Sequence, residues 1–234
     1  MKKRNEIIVP LTLFLSTSLY AQNNYNPEIF WDQLFNNKIT DKTTIGSWDS
    51  TSINWHYQFV ENCIAKHLPK TATEIIDLGS GAGHWLQYFS KKYPNAAIYG
   101  TDISENVIKH LRERFRINNN ITNLQMDLRY EFINKRFDII NGIGLFHHLV
   151  NDSIWVECLK RCSENLKPDG VLFVASRFDK TENNGNPIYR RFRDLEIWQS
   201  ALKQTDLQIE TIYFTNPNPG IKRHLDVMII KKRW

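Results

Sequence analysis

From Thr73 onward, short β-branched runs alternate with segments of helical periodicity, and no other feature constrains the fold as strongly. Glu74-Ile75-Ile76-Asp77-Leu78 reads as a strand. It is followed by the loop Gly79-Ser80-Gly81-Ala82-Gly83 and by a periodic stretch over 84–93 that Pro94 closes. The same grammar predicts strands over 97–101, 121–126, 137–141 and 171–175, with helices over 104–116, where Ser104 is the expected N-cap, and 152–166. Strands alternating with helices predict an α/β fold: a doubly wound, mostly parallel sheet with helices on both faces. Beyond Ser176 comes a polar connection through Asn183-Asn184-Gly185-Asn186-Pro187, then a helix over 193–204. Strands over 207–214 and 224–231, separated by a Pro/Asn/Gly turn at 216–220, read as an antiparallel hairpin at one edge.

The region ahead of this alternation divides in two, giving segments 1–21, 22–70 and 71–234. Residues 1–21 open on Lys2, Lys3 and Arg4, pass through an apolar stretch over 7–15, and end on Ser18-Leu19-Tyr20-Ala21. That is the layout of an export signal or anchor, and Pro10 and the shortness of the apolar run argue against a stable membrane span. Leu19, two residues before Ala21, suits a cleavage site poorly, so a partner-docking extension is the competing reading. Residues 22–70 are rich in aromatics, including Tyr25, Phe30, Trp31, Phe35, Trp48, Trp55, Tyr57 and Phe59. Helical spacing of Trp55, Phe59 and Cys63 predicts a helical cap with those rings facing the core, and some of the aromatics are also suited to walling a ligand pocket.

Composition excludes several classes. With 41% hydrophobic and 24% charged residues the chain has the makings of an ordinary globular core. The formal charge of +5 comes from basic residues spread along the chain, which is not the footprint of a nucleic-acid binder. Cys63, Cys158 and Cys162 form no CxxC pair, so neither a disulfide framework nor a metal site is expected.

In an open parallel sheet ligands bind beyond the carboxyl ends of the strands, so the residues just after each strand carry the functional information. The glycines after the first strand let the backbone bend and let a ligand approach the main chain. Their spacing is Gly-x-Gly-x-Gly, with His84 where the dinucleotide fingerprint needs a glycine, which disfavours a nicotinamide oxidoreductase. Asp102, after the second strand, is placed to accept from both hydroxyls of a ribose. Asp127 and Leu128, after the third, suit an exocyclic adenine amine and the face of its ring, though turn formation is a competing role. Asn141-Gly142-Ile143-Gly144-Leu145-Phe146-His147-His148 follows the fourth strand and again supplies glycines where a backbone must clear a ligand.

Taken together, these motifs resemble the class I S-adenosylmethionine-dependent methyltransferases over roughly residues 48–230. The carriers are the 74–83 motif, Tyr99-Gly100-Thr101-Asp102-Ile103, Met126-Asp127-Leu128, Phe137-Asp138-Ile139-Ile140-Asn141-Gly142 leading into Phe146-His147-His148-Leu149, and Leu166-Lys167-Pro168-Asp169-Gly170-Val171-Leu172. The resemblance implies a Rossmann-like sheet of seven strands ending in an antiparallel hairpin, and S-adenosyl-L-methionine as cofactor. It implies that Gly79, Ser80, Gly81 and Gly83 pack against the methionine part, that Asp77 helps hold its ammonium group, and that Asp102 with Ile103 grips the ribose. Asp127 and Leu128 would contact adenine, and Asn141 and Gly142 would flank the methionine moiety.

The pattern looks like the small-molecule branch of that family. The Asn/Asp-Pro-Pro-aromatic signature of amino-methylating nucleic-acid enzymes is missing, because Gly142 follows Asn141, and no Pro-Cys nucleophile is present. The expected partner is therefore a small-molecule methyl acceptor at oxygen, nitrogen or carbon. His147 or His148 is the candidate general base for a hydroxyl acceptor, with packing or helix capping as the alternative. Tyr189, Arg190, Arg191 and Arg193 could reach over the pocket toward an anionic acceptor, or form a solvated helix face. A non-catalytic protein of the same fold, binding a nucleoside or a protein partner, stands as the second function. The export-like leader favours that second reading, because the cofactor is made in the cytoplasm.

Overall fold

The computed structural model describes residues 25–36, 39–40, 49–179, 188–216, 221 and 224–233. The export-like segment and the Asn183–Pro187 connection lie outside the described residues. The elements run α1 (Pro27–Leu34), α2 (Ser50–Ile64), β1 (Glu74–Leu78), α3 (His84–Lys92), β2 (Ala97–Asp102), α4 (Glu105–Arg114) and β3 (Ile121–Gln125). They continue with β4 (Phe137–Ile143), a short 3-10 turn (Phe146–His148), α5 (Asp152–Asn165), β5 (Leu166–Ser176), α6 (Leu195–Leu202), β6 (Leu207–Tyr213) and β7 (Asp226–Lys232).

The strands form one seven-stranded sheet in the order β3-β2-β1-β4-β5-β7-β6. β1 to β5 are parallel, whereas β7 runs antiparallel between β5 and the edge strand β6. The strand order reverses between β1 and β4, and this switch point leaves a crevice beyond their carboxyl ends.

Period-two alternation along the strands assigns side chains to two separate cores. Ile75, Ile98, Ile139, Phe173 and Ile229 face α2, α3 and α4, packing with Val60, Ile64, Leu86, Phe89, Ile108 and Leu111. Their neighbours Ile76, Ile140, Leu172, Val174 and Met228 face α5 and α6, packing with Trp155, Cys158, Leu159, Cys162, Trp198 and Leu202. The strands are apolar on both faces for this reason.

Four local expectations are corrected. The buried residues of α2 are Ser52, Ile53, His56, Val60, Cys63 and Ile64; Phe59 is half-buried and packs against the core as expected, whereas Trp55 is half-buried and stacks on Phe59 with centroids 5.4 Å apart. Ile53, His56, Val60, Cys63 and Ile64 share one face at i, i+3, i+4 spacing, and Trp55 and Phe59 each stand one position to the side of it. β5 begins at Leu166, where Leu166 pairs with Phe137 and a register shift before Ile139 absorbs the Lys167-Pro168-Asp169-Gly170 step. α5 accordingly stops at Asn165. α6 begins at Leu195, because the Asp194 carboxylate accepts from the Ile197 N–H at 3.0 Å and ends the preceding loop.

Ser104 caps α4 as expected, its Oγ accepting from the Val107 N–H at 3.2 Å. At the opposite, amino end of the parallel strands Asp138 ties β4 to its neighbours. One carboxylate oxygen accepts from the Thr73 and Glu74 N–H groups at 2.8 and 2.9 Å and from Lys167 Nζ at 2.8 Å. Burial alone would push this carboxyl up, but these donors hold it below the usual carboxylate range.

Candidate functional site

A cleft enclosing about 800 Å³ of space, open mouth included, lies at the carboxyl ends of β1, β2, β3 and β4. Its floor and walls include Gly79, Gly81, Asp102, Ile103, Asp127, Leu128 and His148. Over it lies α1, which contributes Pro27 and Trp31, with Phe35 just beyond its end. Asn26 starts that helix by accepting from the Glu28 N–H at 3.0 Å, and Pro27 follows at the first helical position, where its missing N–H costs nothing.

Gly79 turns the chain out of β1 with φ of 66°, and a Cβ there would come within 2.8 Å of Leu145 Cδ1 across the cleft. Gly83 caps α3 with φ of 87°, and its bare Cα lies against Phe115 and Leu111. The loop between them brings the Gly81 N–H to Asp102, donating to Oδ2 at 3.1 Å, while the Ser104 N–H donates to Oδ1 at 3.0 Å. Burial nonetheless pushes the Asp102 carboxyl up to about 6.

Asp77, Ser80, Gly83, Asn141, Gly142 and His147 do not line the cleft but support it from behind. Asp77 is 1% exposed. Asn141 Nδ2 donates to its Oδ1 at 2.7 Å, and its Oδ2 has no hydrogen-bond partner. Burial pushes this carboxyl up to about 7, against the opposing pull of the Asn141 hydrogen bond. Ser80 Oγ donates to the Asp77 carbonyl at 3.0 Å and accepts from the Thr101 N–H at 3.1 Å, locking the loop to β1 and β2. At Gly142 an added Cβ would collide with the Phe146 ring, so this glycine makes room for the 3-10 turn.

The two histidines part company. His147 is buried, its ring 4.9 Å from Phe192, and burial holds it well below the usual imidazole range. His148 lines the cleft, where its ring meets Trp31 edge-on with centroids 4.6 Å apart. Its Nδ1 lies 2.8 Å from the Tyr189 carbonyl, which fixes the proton on Nδ1 and leaves Nε2 as the basic nitrogen. Burial pushes His148 down to about 4, so the ring is neutral at physiological pH.

Two arginine roles were not anticipated. Arg129 follows Asp127 and grips its carboxylate in a fork, Nε at 2.9 Å and 3.0 Å from the two oxygens and Nη2 at 2.6 Å from Oδ2. Only the acid–x–arginine spacing hints at this pair. The arginines after β5 are not among the residues that line the cleft. Arg193 is buried, donating to Asp152 at 2.9 Å and to the Leu149 carbonyl at 2.7 Å, with its guanidinium 4.3 Å above Trp155. Arg191 pairs with the same Asp152 at 2.9 Å, and Arg190 lies over Phe192. The partly exposed Asp152 carboxylate draws two guanidiniums away from the cleft. Among the described residues no cluster suits a metal ion, and no helix is long and apolar enough to cross a membrane.

A family model described as a methyltransferase domain matches residues 75–170, the stretch from β1 into β5 that builds this cleft. Residues 75–170 are a methyltransferase domain. It is 28% identical over 121 residues to the phosphoethanolamine N-methyltransferase of Plasmodium falciparum, covering 51% of this chain and 45% of that protein. The chain thus spans less than half the length of that relative. In structure, the methyltransferase domain and its flanking elements resemble a SAM-dependent methyltransferase from Leishmania major, with a TM-score of 0.72 at 14% identity over 87% of this chain and 81% of that one. An N-methyltransferase from Bradyrhizobium japonicum, in complex with S-adenosyl-L-homocysteine, gives a TM-score of 0.67 at 12% identity over 89% and 99%. These two likenesses establish the fold of the methyltransferase domain.

Proposed function

We propose that this chain transfers a methyl group from S-adenosyl-L-methionine to a small, flat, apolar acceptor. The observation that carries the reading is Asp102: a buried carboxylate at the end of β2, oriented by the Gly81 and Ser104 N–H groups, lining one cleft with the glycine loop and Asp127. An acid so placed accepts from the two hydroxyls of a ribose.

The remaining residues fit a cationic nucleoside that carries an amino acid. Asp77 Oδ2 is a buried acceptor without a partner, and the rise of this carboxyl to about 7 is what burial produces when no cation is beside it. Asp77 is buried behind the Gly79 and Gly81 lining, and an ammonium group that entered past that loop would satisfy Oδ2 and return the acid to its charged form, with Asn141 holding Oδ1. The backbones of Gly79 and Gly81 leave room for the methionine chain. Leu128 would cover adenine, and the Asp127 lone pairs left over by Arg129 would accept from its amine.

The cofactor's sulfonium supplies an already activated methyl group, so the protein's work is to bind, align and exclude water. The lining of the cleft also includes Trp31, Phe35, Leu145, Leu149 and neutral His148. Arg191 and Arg193, committed to Asp152, give no support to an anionic acceptor there. Nε2 of His148 would take the proton released when an acceptor hydroxyl loses it, while Tyr189 keeps the ring oriented. The relative that methylates phosphoethanolamine supports small-molecule chemistry in general terms.

Calorimetric titration of the full chain with S-adenosyl-L-homocysteine tests the reading. Micromolar binding is expected, weakened roughly a hundredfold in Asp102→Ala by the loss of two charge-assisted hydrogen bonds. A folded parent that takes up no S-adenosyl-L-homocysteine would overturn it.

A further inference from the structure

Helix α1 is attached to the domain in an unusual way. It contains no fully buried residue, and Ile29 and Leu34 on its outer side are 54% and 52% exposed. On its inner side Trp31 reaches His148, and Phe30 stacks on Tyr189 with centroids 5.0 Å apart. Polar anchorage comes from Asp32. Its Oδ1 accepts from Ser104 Oγ at 2.9 Å and from the Asn106 N–H at 3.0 Å, and its carbonyl accepts from Asn106 Nδ2 at 3.1 Å.

These donors belong to the first turn of α4, so Asp32 places a carboxylate at the positive end of that helix's dipole. The contact also joins the ligand site itself. Ser104, which donates its hydroxyl to Asp32, donates its N–H to Asp102, so the lid and the ribose-facing acid share one residue.

We propose that Asp32 is a positioning residue: the latch that holds α1 closed over the cleft and sets how fast the nucleoside leaves it. The physical argument is one of balance. Pro27, Trp31 and Phe35 form part of the wall of the cleft, so outward movement of α1 would widen the way out for a nucleoside lying along Gly79, Asp102 and Asp127. The apolar attachment of α1 runs through Trp31, stacked on the buried Phe35 at the end of the helix, and Phe30 on Tyr189, and its polar attachment is the three hydrogen bonds made by Asp32. Both Oδ1 bonds need only an acceptor oxygen, so Asp32→Asn keeps them and Asp32→Ala loses them.

This inference rests on the methyl-transfer reading, and the experiment separates the two. The full chain is loaded with S-adenosyl-L-homocysteine and its release is followed by stopped-flow chase, with circular dichroism as the check on folding. The latch predicts release at least tenfold faster in Asp32→Ala and within about threefold of the parent in Asp32→Asn. In hydrogen exchange, the amides of residues 27–34 should open faster in Asp32→Ala while those of β1 and β4 do not change. A purely structural Asp32 would lower the unfolding temperature and leave the release rate where it was, which overturns the latch. Asn106→Ala removes the third bond without touching Asp32. If Asp32→Ala does not fold, unchanged release in Asn106→Ala overturns the proposal and faster release supports it. A folded parent that does not bind S-adenosyl-L-homocysteine sinks the methyl-transfer reading and the latch with it.

Discussion

Replacing Asp77 by Asn should stabilise the ligand-free protein at pH 8 and cripple its binding site. The carboxylate is buried with one oxygen unpartnered, and the side chains that support it, Asn141 and Ser80, are neutral. Burial therefore raises it from 3.8 to about 7. An acid with a raised folded-state value favours the fold fully below its unfolded value and loses that contribution as pH rises through the folded one. A rise of that size corresponds to about 4 kcal/mol of stability given up between pH 4 and pH 8.

Asn has the same shape, stays neutral, and its Oδ1 still accepts from Asn141. Asp77→Asn should match the parent near pH 4 and exceed it by about 4 kcal/mol at pH 8, a rise of roughly 10 °C in unfolding temperature for a chain of this size. His148 and His56, which burial lowers to about 4, act in the other direction, since their contribution is lost as pH falls. Both chains carry them, so the difference between parent and variant at each pH isolates Asp77. Thermal or denaturant melts from pH 4 to 8, without ligand, make the measurement, and calorimetry should find S-adenosyl-L-homocysteine binding weakened in the variant. A parent-minus-variant difference that stays flat with pH would refute the reasoning, because Asp77 would then not be a buried acid awaiting a cation.

Two further perturbations test the scaffold. Gly79→Ala should cost about 1–2 kcal/mol, because φ of 66° is strained for alanine. The displaced Leu145 side chain should also narrow the cleft and weaken nucleoside binding, and a chemical denaturation curve superimposing on the parent's would show that the loop relaxes freely. Arg193→Ala should cost about 2–3 kcal/mol, since it strips the Leu149 carbonyl of its donor and uncovers Trp155. Arg193→Met, which keeps the stem, should recover part of that loss in the same denaturation assay. Nucleoside affinity in either variant should remain within a few-fold of the parent, given that Arg193 faces away from the cleft.

How much of this was legible beforehand follows from where each interaction sits along the chain. The strands, the glycine loop and the acids Asp77, Asp102 and Asp127 could be read because each stands next to a strand end, and the rule for open parallel sheets turns that position into a place in space. Ser104 could be read as a cap because its partner is three residues away. The sorting of strand residues into two cores follows from alternation alone, once both faces are covered.

What escaped the sequence lies between distant residues. Asp32 and Ser104 are 72 positions apart, and nothing in the composition around either announces the other. Arg193 looked like a free cation because the Asp152 carboxylate that claims it is 41 positions away, and competition between an acceptor pocket and a nearby acid is settled by geometry. His147 and His148 are adjacent in sequence, yet the 3-10 turn sends one into the core and the other to the cleft. Local pattern specifies which atoms can reach a strand end; which of them meet, and which charges are already spent on one another, is a property of packing at long range.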